Sequence, residues 1–428
     1  MLRLVVATAL ARLAGRLSRL LGRGGSALPG LIAEKIDPRT IERLVGPVRR
    51  GVIVVTGTNG KTTTTRMLVG MLEAEGLKVV TNPTGSNLAR GIATRLIEVA
   101  SWRGRVDADV AVFEVDEAAV RPLAPRLRPR VMVVTNMARD QLDRFGELST
   151  TASHAAAAVR HTGVAVLNAD DPLVAEMAVG AAAARFFGAA EPIRRAMPHD
   201  SSLYGVSEAE DLRTTPDLLL ERADPAGDDQ VIELAAASGE RATVRLQLPG
   251  PYNGYNAAAA VLAAAELGVP LERAVAALGR TRPAFGRGQV VDYRGRRVKL
   301  LLVKNPAGFN QAIRLLTALP PGAPVLLAIN DLEADGRDVS WLWDARVEDL
   351  AGTGHRFGTA GLRAYDMALR LKYAGLDAWS ETDFAAALER FVEGVAEAET
   401  GYLVPTYTAM LRFLDLLRPG TSKREAWS

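Results

Sequence analysis

Val52-Ile-Val-Val-Thr-Gly-Thr-Asn-Gly-Lys-Thr-Thr-Thr-Thr65 is the stretch whose reading decides the fold. The β-branched run Val52–Val55 predicts a short buried strand. Gly57-Thr58-Asn59-Gly60-Lys61-Thr62-Thr63 then reads as a phosphate-binding loop opening a helix. Gly57 and Gly60 let the backbone approach a polyphosphate without Cβ clashes. Amides at the helix start point at the anion. Lys61 brings a cation to the terminal phosphates, and the Thr62 hydroxyl is a candidate Mg²⁺ ligand. Val55 stands where the longer G-x-x-x-x-G-K-[ST] pattern has its first glycine, so this is the shorter G-T-x-G-K-T version. A glycine-bearing turn with a chance lysine is the bland alternative; the agreement of strand, loop and helix disfavours it.

Outward from this loop, strands and helices alternate from Gly51 to about Ala190. A helix over Thr63–Glu75 closes at Gly76, and strands are expected at Lys78–Thr81, Val110–Val115, Val131–Thr135 and Val164–Asn168. This pattern predicts an α/β fold with a mostly parallel sheet covered by helices on both faces. Residues 190–245 are polar and proline-bearing, with antiparallel strands expected at Val231–Leu234 and Thr243–Leu248, and read as an excursion or small subdomain. An alanine-rich helix follows over Asn253–Leu267. Strands at Val298–Val303, Pro324–Ile329 and Gly401–Val404, with helices at Leu362–Ala374 and Phe384–Glu397, describe a smaller Rossmann-like α/β domain. The expected division is residues 1–47 as a lead-in, 48–285 as the central domain and 286–428 as the last.

The length of 428 residues allows about three domains. A net charge of +3 is too small on such a chain to indicate a nucleic-acid partner. No apolar run approaches the roughly 20 residues of a membrane span, which fits a cytoplasmic protein. There is no cysteine, which excludes disulfides, thiolate metal sites and a cysteine nucleophile within the chain. His154, His161, His199 and His355 are scattered, so no structural zinc is expected. Near the amino terminus Arg12, Arg16, Arg19 and Arg23 oppose Leu10, Leu13, Leu17 and Leu20. The plain expectation is a helix packed on the first domain with its arginines in water. The alternative is peripheral contact of the cationic stripe with anionic lipid heads at the inner face of the membrane.

Glu114 ends a buried strand in Ala-Val-Phe-Glu-Val-Asp-Glu, where open parallel sheets place their ligands. It is the favoured Mg²⁺ ligand, with Asp116 second; Glu117 competes, and one of the three has a rival role as a helix cap. Thr135–Glu147 follows another strand end, and its three acids and two arginines suggest a site loop, the rival reading being an ordinary solvated charged loop. Gly250-Pro-Tyr-Asn-Gly-Tyr-Asn256 precedes a helix; its asparagines suit an adenine edge, but read alone Asn253 or Asn256 is better taken as a helix cap. Asp331–Asp344 places two Trp and four Asp after a strand end, without the twelve-residue calcium pattern, and marks a site or partner surface.

Together these motifs resemble the Mur ligase superfamily, which includes folylpolyglutamate synthase. The resemblance implies ATP at Gly57–Thr63, Mg²⁺ at Thr62 and Glu114, adenine at Asn256, and a nucleotide contact from Arg287 in Gly-Arg-Gly. Where typical members carry Asp-His-Leu-Asp, this chain has Asp140-Gln141-Leu142-Asp143. That segment, with Lys304-Asn-Pro-Ala-Gly308, Asp335-Gly-Arg-Asp-Val-Ser-Trp341 and Pro405-Thr-Tyr-Thr-Ala-Met410, resembles the MurT branch, the ligase subunits of lipid II isoglutaminyl synthase. Many MurT proteins insert a four-cysteine zinc ribbon that residues 190–245 here cannot form. The resemblance implies ATP-dependent amidation of the D-glutamate α-carboxylate of lipid II through an acyl phosphate. It also implies a heterodimer with a GatD-like glutamine amidotransferase, whose Cys and His would be completed by Asp338 as third triad member. Asp338 has a rival role as cap of a helix near Ser340. The competing functional readings are a stand-alone Mur or folylpolyglutamate-type ligase and a nucleotide-gated binding protein without catalysis.

Overall fold

The computed structural model describes residues 2–20, 27–82, 86–138, 148–195, 197, 214–227, 229–282 and 286–418. The chain forms two compact units, one from residues up to 138 and from 149 to 281, the other from 282 onward.

The first unit is built on a nine-stranded sheet: β1 (Val52–Thr56), β2 (Val79–Thr81), β3 (Val110–Glu114), β4 (Val131–Val134), β5 (Val164–Asn168), β6 (Ala184–Ala189), β7 (Leu218–Ala226), β8 (Asp229–Ala236) and β9 (Arg241–Leu246). Their order is β2-β3-β1-β4-β5-β6-β7-β8-β9. Pairing is parallel from β2 through β7. It turns antiparallel for β7, β8 and β9. The apolar runs of β1, β3 and β4 are buried at every position, as strands covered on both faces must be. At the antiparallel end burial alternates along β8 and β9, because one face there meets water. Thus the 190–245 stretch, read as an excursion, includes strands that prolong the main sheet. Helix α4 (Lys61–Ala74) follows β1, and Gly76 turns the chain out of it at φ +75°. The alanine-rich helix Pro251–Ala265 is buried along nearly its whole length, and Gly254 lets it approach β7: a Cβ there would lie 2.6 Å from Leu220.

The amino-terminal helix α1 (Leu2–Leu20) forms, but it packs on the face opposite to the one its amphipathic pattern suggested. Ala7, Thr8, Ala11 and Gly15 are buried, whereas Leu10, Leu13 and Leu17 are exposed. The cause is close packing: α1 lies against α2 (Leu28–Ile36), and a Cβ on Gly15 would meet Pro29 at 2.9 Å. At Gly15 the approach leaves no room for a larger side chain. Arg12 is not in open water either. It donates from Nε to the Ile97 carbonyl (2.9 Å) and from Nη2 to the Ala100 carbonyl, neutralising the carboxyl end of α5 (Ala89–Val99).

The second unit holds a six-stranded sheet: β10 (Arg287–Tyr293), β11 (Arg296–Leu301), β12 (Pro324–Ala328), β13 (Arg356–Ala360), β14 (Ala378–Glu381) and β15 (Thr400–Pro405), ordered β10-β11-β15-β12-β13-β14. Only the β10–β11 hairpin is antiparallel. Two apolar layers cover it. Leu326 and Ala328 of β12 face a layer with Phe391 and Phe413, and Val325 and Leu327 face one with Phe309 and Met367. Phe413 is fully buried and meets Phe384 edge-on at 5.1 Å. Phe413→Ala is expected to lower stability by about 3–5 kcal/mol, read as a reduced midpoint in urea unfolding.

Candidate active site

β1 lies between β3 and β4; from β1 the chain runs out to β2 on one side and from β3 crosses over to β4 on the other, so the carboxyl end of β1 is the switch point where such sheets bind ligands. There the backbone turns through Gly57 (φ +118°) and Gly60 (φ +89°). A Cβ on Gly57 would lie 2.3 Å from Thr135 Oγ1, and one on Gly60 would lie 2.1 Å from Asn256 Oδ1, so both positions require glycine. The end of β4 clasps this turn. The Thr58 amide donates to the Asn136 carbonyl (2.9 Å) and the Asn59 amide to Asn136 Oδ1 (3.0 Å). Asn136 Nδ2 and the Thr135 hydroxyl both donate to the Asn59 carbonyl, at 2.9 and 2.7 Å. Met137 is held in turn by Asp171, whose carboxylate accepts its amide at 2.7 Å. The loop is thereby preformed, with the start of α4 aimed out of it.

Lys61, buried at 7% exposure, bends back over the loop. Its ammonium donates to the Gly57 carbonyl (2.6 Å) and to Glu117 Oε2 (2.9 Å), with Asp116 Oδ1 at 3.9 Å. Burial works against the charge on Lys61, but the carboxylates of Glu117, Asp116 and Glu114 outweigh it and raise its pKa. The lysine therefore remains a fixed cation. The Thr62 hydroxyl donates to Glu114 Oε1 (3.0 Å), and Asn87 Nδ2 donates to the same oxygen (2.8 Å). Asn82 brackets the Glu114 backbone, accepting from its amide and donating to its carbonyl at 2.9 Å each. A hydroxyl and a buried carboxylate oxygen side by side form a hard-oxygen pair, which fits a magnesium ion that keeps its other positions for water and phosphate. Of the competing acids, Asp116 stands at the start of α6 (Glu117–Leu127) but makes no side-chain cap, and Glu117 pairs with Lys61.

Asn256 lies within the buried helix Pro251–Ala265, whose cap is Gly250; neither Asn253 nor Asn256 caps it. Asn253 Nδ2 donates to the Pro249 carbonyl at 2.7 Å, and the Asn256 carboxamide rests against Gly60. Next to it, the Tyr255 hydroxyl donates to Asp170 Oδ2 at 2.8 Å, and burial with the adjacent carboxylate pushes the Tyr255 pKa up. The sequence alone does not mark Asn82 or Asn87, although both follow the end of β2, whereas Thr135 and Asn136 open the Thr135–Glu147 stretch read as a site loop. Asp140, Gln141, Leu142 and Asp143 lie outside the described residues, as does the side chain of Arg287, which begins β10.

In the second unit the remaining motifs meet at one edge of the sheet, because β11, β15 and β12 are parallel neighbours. Asn305, after β11, caps its helix by accepting the Gly308 amide at 2.8 Å. The amide of Asn330, after β12, donates to Thr406 Oγ1 (2.9 Å), and its Nδ2 donates to Thr408 Oγ1 (2.9 Å). Asp335 accepts the Thr408 amide at 2.8 Å and its hydroxyl, anchoring the acidic loop; burial raises its pKa, and the Thr408 donors partly offset this. Asp338 is exposed and accepts from the amide (2.8 Å) and hydroxyl (2.9 Å) of Ser340. The short helix Ser340–Trp343 has Val339 at its cap position and no side-chain cap, so Asp338 does not cap it; its bonds to Ser340 instead hold the carboxylate at the surface. Trp341 packs edge-on against Phe309 at 6.0 Å, while Trp343 is half exposed and stacks edge-on with Tyr373 at 5.3 Å.

Residues 55–264 match the Mur ligase middle domain, and residues 302–410 match the MurT ligase C-terminal domain. The chain is 32% identical to the lipid II isoglutaminyl synthase (glutamine-hydrolyzing) subunit MurT of Streptococcus pneumoniae, over 96% of this chain and 97% of that one. It is 28% identical to the MurT subunit of Staphylococcus aureus over 95% and 96% of the two chains. Among solved structures it resembles MurF from Acinetobacter baumannii, with TM-score 0.68, 20% identity and coverage of 89% of this chain and 78% of that one. It also resembles MurF ligase from Thermotoga maritima in complex with ADP, with TM-score 0.68, 16% identity and coverage of 93% and 84%. Fold and phosphate loop together define a Mur ligase. Within that class, the second unit and the full-length likeness are decisive: the chain belongs to the family of MurT subunits of lipid II isoglutaminyl synthase.

Gly60→Ala combines left-handed backbone with a collision at Asn256. It is expected to cost about 1–3 kcal/mol, measured as a lower midpoint of denaturant unfolding.

Proposed function

We propose that this chain is the ATP-consuming subunit of a glutamine-hydrolysing lipid II amidating enzyme. The observation that carries the reading is the buried Lys61–Thr62–Glu114 cluster on a preformed phosphate loop, in a chain with MurT likeness along its length. A carboxylate resists attack by ammonia until one oxygen becomes part of a leaving group. In this reading the α-carboxylate of D-glutamate in the lipid II stem attacks the γ-phosphorus of ATP, ADP leaves, and an acyl phosphate forms. The ammonia lone pair then attacks the carbonyl carbon, phosphate departs with the bonding electrons, and the nitrogen sheds a proton to give D-isoglutamine. Lys61 neutralises charge on the transferring phosphoryl group, and the amides of Gly57–Thr63 cradle the other phosphates. In this reading Asn256, which packs on Gly60, is assigned to the adenine, and Arg287 to the same nucleotide, both by the family resemblance. Thr62 and Glu114 would hold Mg²⁺, which when bound offsets phosphate charge as a Lewis acid.

Ammonia is scarce at neutral pH, and its release from glutamine calls for a nucleophile such as cysteine, which this chain lacks. A GatD-like glutaminase partner supplies it in this reading, and Asp338 would orient the partner's histidine from the exposed acidic loop. A partner surface adjoins that loop. Tyr365, Leu369 and Tyr373 line one side of the helix Ala364–Tyr373, and all are exposed, with Leu362 and Trp343 beside them. Aromatic patches of this kind mark protein interfaces. A cytoplasmic location follows from the ATP and the lipid-linked substrate; among the described residues no helix is long and apolar enough to cross a membrane. The match of residues 302–410 weighs against a stand-alone amino-acid ligase.

Lys61→Ala is expected to abolish phosphate release with either glutamine or ammonia as donor; unchanged release would remove the phosphate-loop assignment. Asp338→Asn should keep ammonia-dependent amidation while glutamine-dependent amidation falls by about 10³–10⁴-fold, measured side by side on one complex. Leu369→Glu should prevent copurification with the glutaminase while the isolated chain keeps its thermal midpoint.

A further inference from the structure

The inverted packing of α1 leaves a surface that the amidation chemistry does not use. At 3.6 residues per turn, Val6, Leu10, Leu13 and Leu17 fall on one line of the helix, and they are 42%, 47%, 54% and 51% exposed. Arg3 and Arg16 are exposed on either flank of that line. The helix Leu-Arg-Leu-Val-Val-Ala-Thr-Ala-Leu-Ala-Arg-Leu-Ala-Gly-Arg-Leu-Ser-Arg-Leu contains no acidic residue. The loop after α5 abuts the same helix: a Cβ on Gly104 would lie 2.9 Å from Leu4, and Ala100 receives Arg12. That loop presents Trp102, 71% exposed, with the Arg103 guanidinium over its ring at 4.7 Å.

We propose that this face of the first unit docks on an anionic phospholipid surface, with α1 lying in the plane of the headgroups. An apolar line flanked by arginines is the pattern of an interfacial helix, and a tryptophan beside a cation suits the boundary between headgroup and acyl chain. The helix cannot cross a bilayer, so it lies on the surface. Charge decides against a second copy of the chain as occupant: isologous pairing would bring two acid-free, arginine-flanked helices together with nothing on either to offset the repulsion. The proposal stands on this surface alone and does not depend on the phosphate-loop chemistry.

The full-length protein is mixed with vesicles of phosphatidylglycerol and phosphatidylcholine, or of phosphatidylcholine alone, and the bound fraction is measured by cosedimentation at low and raised salt. The expected result is binding to the anionic vesicles that weakens with salt, and at least a tenfold loss of it in Leu13→Glu and in the milder pair Leu13→Ser with Leu17→Ser. A vesicle-induced blue shift of tryptophan emission should diminish in Trp102→Phe. The substituted side chains are exposed, so circular dichroism and the thermal midpoint should stay as in the parent protein. Absence of binding, equal binding to neutral vesicles, or undiminished binding by both leucine variants would overturn the proposal. So would self-association of the parent protein in light scattering, or loss of glutaminase copurification, that Leu13→Glu causes to change; either would assign the stripe to a protein partner.

Discussion

One tight turn sets the rest of the first unit. The chain leaves the central strand β1 through Gly57 and Gly60, and at both positions neighbouring atoms occupy the space a side chain would need. Because the turn cannot relax around a Cβ, the carboxyl end of β4 and the helix Pro251–Ala265 are fitted to bare backbone. Asn136, Thr135 and Asn256 are the atoms that press against it. The buried charges are arranged around the same turn. Lys61 is tethered by Glu117, and Glu114 is held by Thr62, Asn82 and Asn87, so no carboxylate or ammonium is left to face apolar surroundings alone.

These bonds hold the loop, Lys61 and Glu114 in place without a nucleotide. Electrostatic stabilisation of a moving phosphoryl group is effective only if the stabilising charges need not reorganise. Lys61 stays protonated because three carboxylates outweigh its burial. In the second unit the design differs. There Asn330, Asp335, Thr406 and Thr408 form a local polar network whose work is to fix the loop that carries Asp338 at the surface. A buried anchor with an exposed carboxylate suits a residue meant to act on another chain.

Much of this was legible in the sequence. Val52–Thr65 announced its strand, turn and helix because local propensity and tertiary role agree there, and the continuous apolar runs of β3, β4 and β12 could be buried only between two helical layers. β6 and β13 were missed because Ala184–Ala189 and Arg356–Ala360 mix small residues, glycine and arginine, and gain their strand character from pairing on both sides. The support of Glu114 by Asn82 and Asn87 depends on β2 lying beside β3, a pairing the local pattern does not specify. On α1 the hydrophobic pattern pointed the wrong way: the seam took Ala7, Ala11 and Gly15, and Leu10, Leu13 and Leu17 were left outside.

The central claim is that ATP converts a stem-peptide carboxylate into an acyl phosphate at Lys61. It is tested most directly by following oxygen. Lipid II carrying ¹⁸O in the D-glutamate α-carboxylate is turned over by the complex with ATP and glutamine, and the released phosphate is analysed by mass spectrometry. The account predicts one ¹⁸O atom in each phosphate formed with amide. Phosphate free of ¹⁸O, with amide still produced, would contradict it.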